Sequence, residues 1–449
     1  MKFKIAATVM LLTVLFIHPI AFAAQLLFTP RASVTETYTD NLFLTENDEK
    51  DDFITRVSAG FLAQLLGKTS GLELSFDPNY EFYQENSEFD EWGLTSNLRA
   101  YTSPSKTSNL SLTDNFIRTT DPVSRDLLTA EDGQVEETGD TTERSGRQWY
   151  YRNTASLNYS YRFGREDQTY AGFVYGLLRN DDKQNEDNDN YRPFAGLDYW
   201  FTQRFGSQLY AEYTRGEYDQ RSGFTGRPSS DFDNYLGRMR FNGRMTQHFA
   251  LYTQYVQICR DFTSGTENNY LVYAPSAGFR YDITQDAYLS LGLGYYWQVI
   301  DDEPDQENPF INGTVSKTWN YPRGSINLTG LAGLTQNDFG AQNQGFQQFG
   351  TVQASARYDF ARRLAADTNA YYRYAYTPGG STETGNEEDQ TDNRAQFNTG
   401  IEFLATRWMN IRLGYTFNYY NTDAENEDDY SENRVLLTIT LQPDQPWRF

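Results

Sequence analysis

The chain has 449 residues, a formal net charge of -23 and a single cysteine, Cys259. So acidic a chain has no electrostatic reason to bind the phosphates of nucleic acid, and one cysteine excludes an intramolecular disulfide. Mean hydropathy is -0.71 although 16% of residues are aromatic, which suits a wall with an oily outer face, a wet inner face and aromatic girdles better than a soluble core.

In chain order, Lys2 and Lys4 precede an apolar run from Ile5 to Ile17 and the small-residue site Ala21-Phe22-Ala23. This reads as a secretory signal peptide over 1-23, leaving 24-449 as one domain. No later apolar run reaches the ~20 residues of a membrane-spanning helix.

From Phe28 onward, apolar and polar residues alternate in segments. In Leu72 to Phe82, Leu72, Leu74, Phe76, Tyr80 and Phe82 share one face, and Glu73, Ser75, Asp77, Asn79 and Glu81 the other. Trp149 to Arg162 and Met409 to Tyr419 repeat the rule. Connections switch strictly between short ones, such as 67-70, 201-204 and 245-248, and long acidic ones, such as 84-91, 180-190 and 421-431. The expected fold is all-β: a transmembrane up-and-down antiparallel β-barrel of about 20 strands, with 18 to 22 compatible, carrying short periplasmic turns and long acidic extracellular loops. Glu36, Asp114 and Gln348 break the pattern by falling on the apolar parity, which predicts a bulge or a shifted boundary. Lys317 shares that parity beside Trp319, where its stem can snorkel.

In the final stretch, Glu432 to Phe449, Val435, Leu437, Ile439 and Leu441 oppose Leu436, Thr438 and Thr440 before the chain ends on Trp447-Arg448-Phe449. This resembles the C-terminal signal of bacterial outer-membrane barrels, with Trp447 and Phe449 as the assembly signal. Pro443 and Pro446 require the ladder to end near Gln442.

Residues suited to catalysis are scarce. His248 is the only histidine after the signal segment and falls in a predicted turn without a nucleophile beside it. Cys/His metal spacing is absent, and the acidic run at 180-190 lacks the spacing of a dedicated calcium loop. The expectation is no enzyme, no cofactor and no metal.

The polar parity instead collects arginines: Arg56, Arg99, Arg152, Arg162, Arg192, Arg238, Arg240, Arg244, Arg280, Arg357, Arg373, Arg394 and Arg412. Acids of that parity are fewer, among them Glu73, Asp77, Glu81, Asp198, Glu212, Asp367 and Glu402. Either the charges pair across strands and brace the wall, or guanidinium groups without an acid favour anionic solutes. Tyr150, Tyr210 and Tyr252 offer inward stacking surfaces. The longest loop, 119-147, would narrow the bore through Asp132, Glu136, Glu137 and Asp140 if it folded inward.

The first strand, Thr29 to Leu44, carries Tyr38-x-Asp40-Asn41-Leu42-Phe43. It resembles the opening of the β-barrel porin 2 family, outer-membrane proteins associated with exopolysaccharide operons and PEP-CTERM sorting. The resemblance implies polysaccharide export or surface assembly as the context; with the inward arginines, the expectation is a porin-like channel in the cell outer membrane that passes hydrophilic, anionic solutes or exopolysaccharide. The expected partners are membrane lipid and lipopolysaccharide, the barrel-assembly machinery through the C-terminal strand and, by the resemblance, polysaccharide export components. The alternative is a structural or adhesion barrel with an occluded lumen, acting through its acidic loops.

Overall fold

The computed structural model describes residues 25-449 except 122-123, 126-127, 130-134, 137-140, 143-146, 182-184, 220-229, 264-267, 302-303, 338-344, 379-388 and 424-428. The expected signal segment, 1-23, therefore lies outside the described residues.

The wall consists of β1 (Gln25–Thr39), β2 (Asp52–Leu66), β3 (Ser70–Tyr83), β4 (Glu91–Ser105), β5 (Ser108–Thr119), β6 (Tyr150–Arg162) and β7 (Gln168–Asn180). It continues through β8 (Asp187–Trp200), β9 (Phe205–Asp219), β10 (Phe232–Arg244), β11 (Phe249–Phe262), β12 (Tyr270–Thr284), β13 (Ala287–Ile300) and β14 (Gln306–Tyr321). The last strands are β15 (Gly324–Asn337), β16 (Gly345–Ala361), β17 (Leu364–Thr377), β18 (Gln390–Leu404), β19 (Met409–Thr422), β20 (Tyr430–Leu441) and the two-residue β21 (Trp447–Arg448). Each long strand pairs antiparallel with the next, and β1 pairs with both β2 and β20. The sheet closes, so each long strand is hydrogen-bonded to a neighbour on either side, as a membrane favours in a β-structure. Long connections gather at one end of the barrel, the loop end, and short ones at the turn end.

Side-chain direction follows the expected parity. Phe76, Tyr80 and Phe82 on β3, and Val435, Leu437, Ile439 and Leu441 on β20, are exposed on the outside. The inner face carries the polar and charged set. The three exceptions do not come from a bulge. Glu36 pairs in unbroken register with Thr55 and Leu437, so it stands on the outer face, where the Thr55 hydroxyl donates to it at 2.6 Å. Asp114, opposite Leu98 and Ala155, accepts from Asn153 Nδ2 at 3.0 Å. Gln348 lies in regular register between Leu334 and Tyr376. Local hydrogen bonding, not a slipped ladder, accommodates Glu36 and Asp114. Lys317 stands 5.7 Å from the Trp319 ring centroid, and Cys259 is a half-buried residue on the outer parity, opposite Tyr235.

The C-terminus departs from expectation. The β20 ladder stops at Leu441, but pairing resumes after the two prolines: Trp447 sits opposite Phe28, Arg448 opposite Leu27, and Phe449 N–H donates to Leu26 at 3.0 Å. Trp447 packs on Phe28 with ring centroids 5.9 Å apart. The prolines mark a detour, and the chain returns to brace the seam between its two ends.

At the loop end the same seam is fastened by the Tyr38-x-Asp40-Asn41-Leu42-Phe43 segment. Asp40 accepts from both the backbone and side-chain nitrogens of Asn433 at 2.7 Å, while Asn41 donates to Ser431 and Thr45. The chain then turns inward, with Leu44 at a φ of 56°. Leu42 fills a cluster with Ile54 and Tyr83, and Leu44 one with Tyr420 and Tyr430. Beside them, Glu432 is 0% exposed and accepts from Arg434 at 2.6 Å, Thr39 at 2.7 Å and Asn418 at 2.9 Å, with Arg147 at 3.8 Å. Arg147 also donates to Leu42 at 2.7 Å. Both feet of the 119-147 loop are therefore held on the inner wall, by Arg147 and by Asp121, which pairs with Arg434 at 3.3 Å. Burial raises the Asp121 pKa, but Arg434 and Arg147 outweigh it and bring the carboxyl down to about 2.

Candidate functional site

The inner wall from β8 to β14 is built in three layers. Strand glycines leave shallow beds, aromatic rings lie flat in them, and arginines lie on the rings. Tyr252 occupies the space above Gly278 and Gly292, where an added Cβ would run into its ring or hydroxyl. The hydroxyl donates to Asn312 at 2.8 Å, and Asn312 donates to Ser276 at 2.9 Å. Trp200 lies over Gly206 in the same way. Covering a strand glycine with a neighbouring ring is a recognised means of stabilising a curved sheet.

On these rings rest the arginines of β10. The Arg240 guanidinium carbon is 3.7 Å from the Tyr252 centroid, Arg244 is 3.6 Å from Trp200 and Arg238 is 5.0 Å from Tyr210. Arg280 on β12 is 4.5 Å from Tyr288. A cation on a ring face is held in place while its charge is kept. The Arg240 Nε donates to Asn242 at 3.0 Å, and no acid pairs with Arg240 among the described residues. The ladder Arg238, Arg240, Arg244 thus descends one strand toward the turn end, where Arg244 meets Glu166 at 3.1 Å. That hydrogen bond holds the Glu166 carboxyl below its ordinary value.

All the arginines of the polar parity point inward, but most do not present a free charge. Among the described residues, Arg56 pairs with Glu81 at 2.5 Å, Arg192 with Glu212 at 3.8 Å, Arg280 with Asp282 at 2.9 Å, Arg357 with Glu402 at 3.3 Å and Arg412 with Asp367 at 2.5 Å, and Arg244 with Glu166 as above. The first five brace the wall, and the anion-selecting expectation is corrected for them. Arg152 and Arg373 are buried and line no open path; Arg373 donates to Gln347 at 3.3 Å. Arg99 lies over Tyr101 at 5.8 Å and Arg394 over Tyr420 at 5.2 Å. Arg162 is exposed at the turn end. Tyr150, expected as a stacking surface, is buried and donates its hydroxyl to Asp121 at 2.8 Å.

Three inward arginines absent from the expected set belong to the same parity. Arg31 pairs with Asp77, Arg434 joins the Glu432 network, and Arg260 is fully buried with its guanidinium 4.1 Å from the Phe232 ring. Parity alone identifies them. Arg147 lies in a loop, where no periodicity points to it. Of the proposed constriction acids, Asp132, Glu137 and Asp140 lie outside the described residues. For Glu136 only the backbone is described, paired with Leu128. His248 is exposed in its turn with Nδ1 3.1 Å from the Asp282 carbonyl. No cluster of metal-ligating side chains occurs among the described residues.

Fold and wall together define a transmembrane β-barrel whose lumen carries a stacked arginine ladder. No family model matches the chain, and no curated protein matches it in sequence. Among solved structures it is similar to OccK2 (OpdF) of Pseudomonas aeruginosa, with TM-score 0.41 and 12% identity over 92% of this chain and 98% of that one. It is also similar to OprD of the same organism, with TM-score 0.37 and 11% identity over 92% and 95%. The siderophore receptor PirA of Acinetobacter baumannii gives 0.48 and 9% over 92% and 80%. Likenesses at this level assign no solute and no partner to this chain.

Proposed function

We propose that this chain is an outer-membrane channel for small hydrophilic anions, exported by a leader cleaved after Ala23. The observation that carries the reading is Arg240, fixed on Tyr252 inside the lumen with no acid beside it among the described residues. A fixed cation on a low-dielectric wall raises the local concentration of anions. An anion moving along β10 meets Arg238, Arg240 and Arg244 in turn, each exchange costing little because the next charge is one or two rungs away. Membrane lipid and lipopolysaccharide meet the outer face, and the β20–β21 end engages the assembly machinery.

The proposal is for small solutes. Leu42, Leu44 and Arg147 fill part of the loop end, which gives no support to passage of a hydrated polysaccharide or to a role for export components. The same filling favours a second reading, a structural barrel with a closed lumen. Swelling of proteoliposomes in isotonic solutions of small carboxylates separates the two. A channel swells them and a closed barrel does not.

A further inference from the structure

One stretch of the wall is not zipped. β14 and β15 pair from Tyr321↔Gly324 up to Gly313↔Ala332 and no further, although β14 continues to Gln306 and β15 to Asn337. Both strands keep their other neighbours there, because Gln306 still faces Gln298 and Asn337 still faces Gly345. The described loop-end residues Leu334 of β15 and Phe346 of β16 pack against the inner wall. Phe346 has the parity that looks outward lower on β16, where Val352 is 50% exposed, yet it is 0% exposed. Its ring packs edge-on at 5.0 Å against Tyr296, a lumen-facing residue of β13. The neighbouring Gln347, of opposite parity, is also buried, so both faces of the strand are covered.

The seat that receives these residues is apolar, with Ile258, Val272, Ala274, Tyr296, Ile300 and Phe310. It begins one rung above the arginine ladder, since Arg238 faces Val256 and the next inward rung joins Leu236 to Ile258 and Val272. Within the seat, Gln298 is 0% exposed and neither its oxygen nor its nitrogen meets a hydrogen-bond partner among the described residues. An orphaned buried amide penalises the tucked arrangement, and so does the unmade ladder between β14 and β15. Glycines flank the break: Gly313 at its last rung, Gly333 just beyond and Gly350 across β16, with open space around the last.

We propose that the described loop-end residues of β15 and β16, with Leu334 and Phe346 at their centre, form a displaceable flap and that its seat is a subsite for the apolar body of an amphipathic anion. The idea rests on the anion-channel reading and narrows its substrate class. The anion's head engages Arg238 and Arg240, its apolar body takes the place of Phe346, and the flap swings outward. The ladder then continues in register, bringing Ile311 opposite Leu334 and restoring the wall. Burial favours the tucked state and backbone hydrogen bonding the zipped one, a bistable pair that a ligand binding only one state will shift.

The test is hydrogen exchange on the folded mature protein in detergent, with hexanoate as probe and acetate and 1-hexanol as controls at equal concentration. Hexanoate is expected to slow exchange at Gln306–Asn312 and at the facing Gly333–Asn337 at least tenfold and to leave the other strands unchanged, with neither control doing so. The R240Q variant is expected to lose the response. A disulfide between Y296C and F346C in a C259S background locks the flap inward and should abolish the response until reduced. One between I311C and L334C should reproduce the protection without hexanoate. No change with hexanoate, an equal change with acetate, or an undiminished response in the Y296C/F346C lock overturns the proposal. Conductance is recorded in parallel: a barrel that conducts no anions yet shows the exchange response refutes the channel reading and keeps the flap, and the converse refutes the flap alone.

Discussion

Arg240 lies on the ring of Tyr252 with its guanidinium carbon 3.7 Å from the ring centroid, and that ring is bedded on Gly278 and Gly292 of the next two strands. The position of a lumen charge is thus set by residues that carry no charge. Replacing Gly292 with Ala forces the Tyr252 hydroxyl off its bed, and overpacking of this kind costs roughly 1–3 kcal/mol. The expected outcome is a folded barrel with weakened anion preference, read as a smaller reversal potential in a salt gradient. Alanine at Gly237, where an added Cβ meets nothing, is the control and should change neither property.

Glu432 is a fully buried carboxylate held by Arg434, Thr39 and Asn418. Removing one partner of a buried ion pair strands the other, at a typical cost of about 3–5 kcal/mol. Arg434→Met should therefore destabilise the barrel strongly in urea unfolding from lipid vesicles, while the double variant with Glu432→Gln should recover much of the loss.

The Asp121 carboxyl stands at about 2 in the folded protein, against about 3.9 for an unperturbed aspartate. A lowered folded value stabilises the fold above the unfolded pKa and loses that contribution as pH falls through the folded one. The melting temperature of the wild type should exceed that of Asp121→Asn by a constant margin from pH 7 to 5, and the margin should vanish on descending from about 4 to about 2.

Deleting Trp447 to Phe449 removes the β21 pairing with Leu27 and Phe28 but leaves the β1–β20 ladder from Ala32 to Thr39 intact. Assembly into vesicles by the purified machinery should slow at least several-fold, while the product, once folded, should keep its resistance to heat in detergent. Loss of the folded state itself would show that β21 is required to close the sheet.

The barrel was legible because a strand exposed to lipid on one side and water on the other writes a period of two into the sequence. Val435, Leu437, Ile439 and Leu441 carry it, and the switch between short and long connections sets the topology. The inner site was only partly legible. Parity places Arg240 and Arg412 on the same face, but only three-dimensional neighbours show that Arg412 meets Asp367 while Arg240 meets a tyrosine ring. Tyr252 comes from the adjacent strand and Asp367 from two strands away, and one strand's pattern contains neither. The inward apolar run of Ile258, Val272 and Ile300 is visible as a breach of the wet-inside rule. What it packs against, Leu334 and Phe346 of β15 and β16, depends on where a ladder stops, and the alternation runs on unchanged through that point.

Ion selectivity is where the account is most exposed. The purified protein, reconstituted in a planar bilayer across a tenfold gradient of potassium chloride, should give discrete conductance steps and a reversal potential of the sign set by chloride. Replacing Arg238, Arg240 and Arg244 together with Gln should move that potential toward zero. A silent barrel, a potential of the sign set by potassium, or a triple variant indistinguishable from the wild type would contradict it.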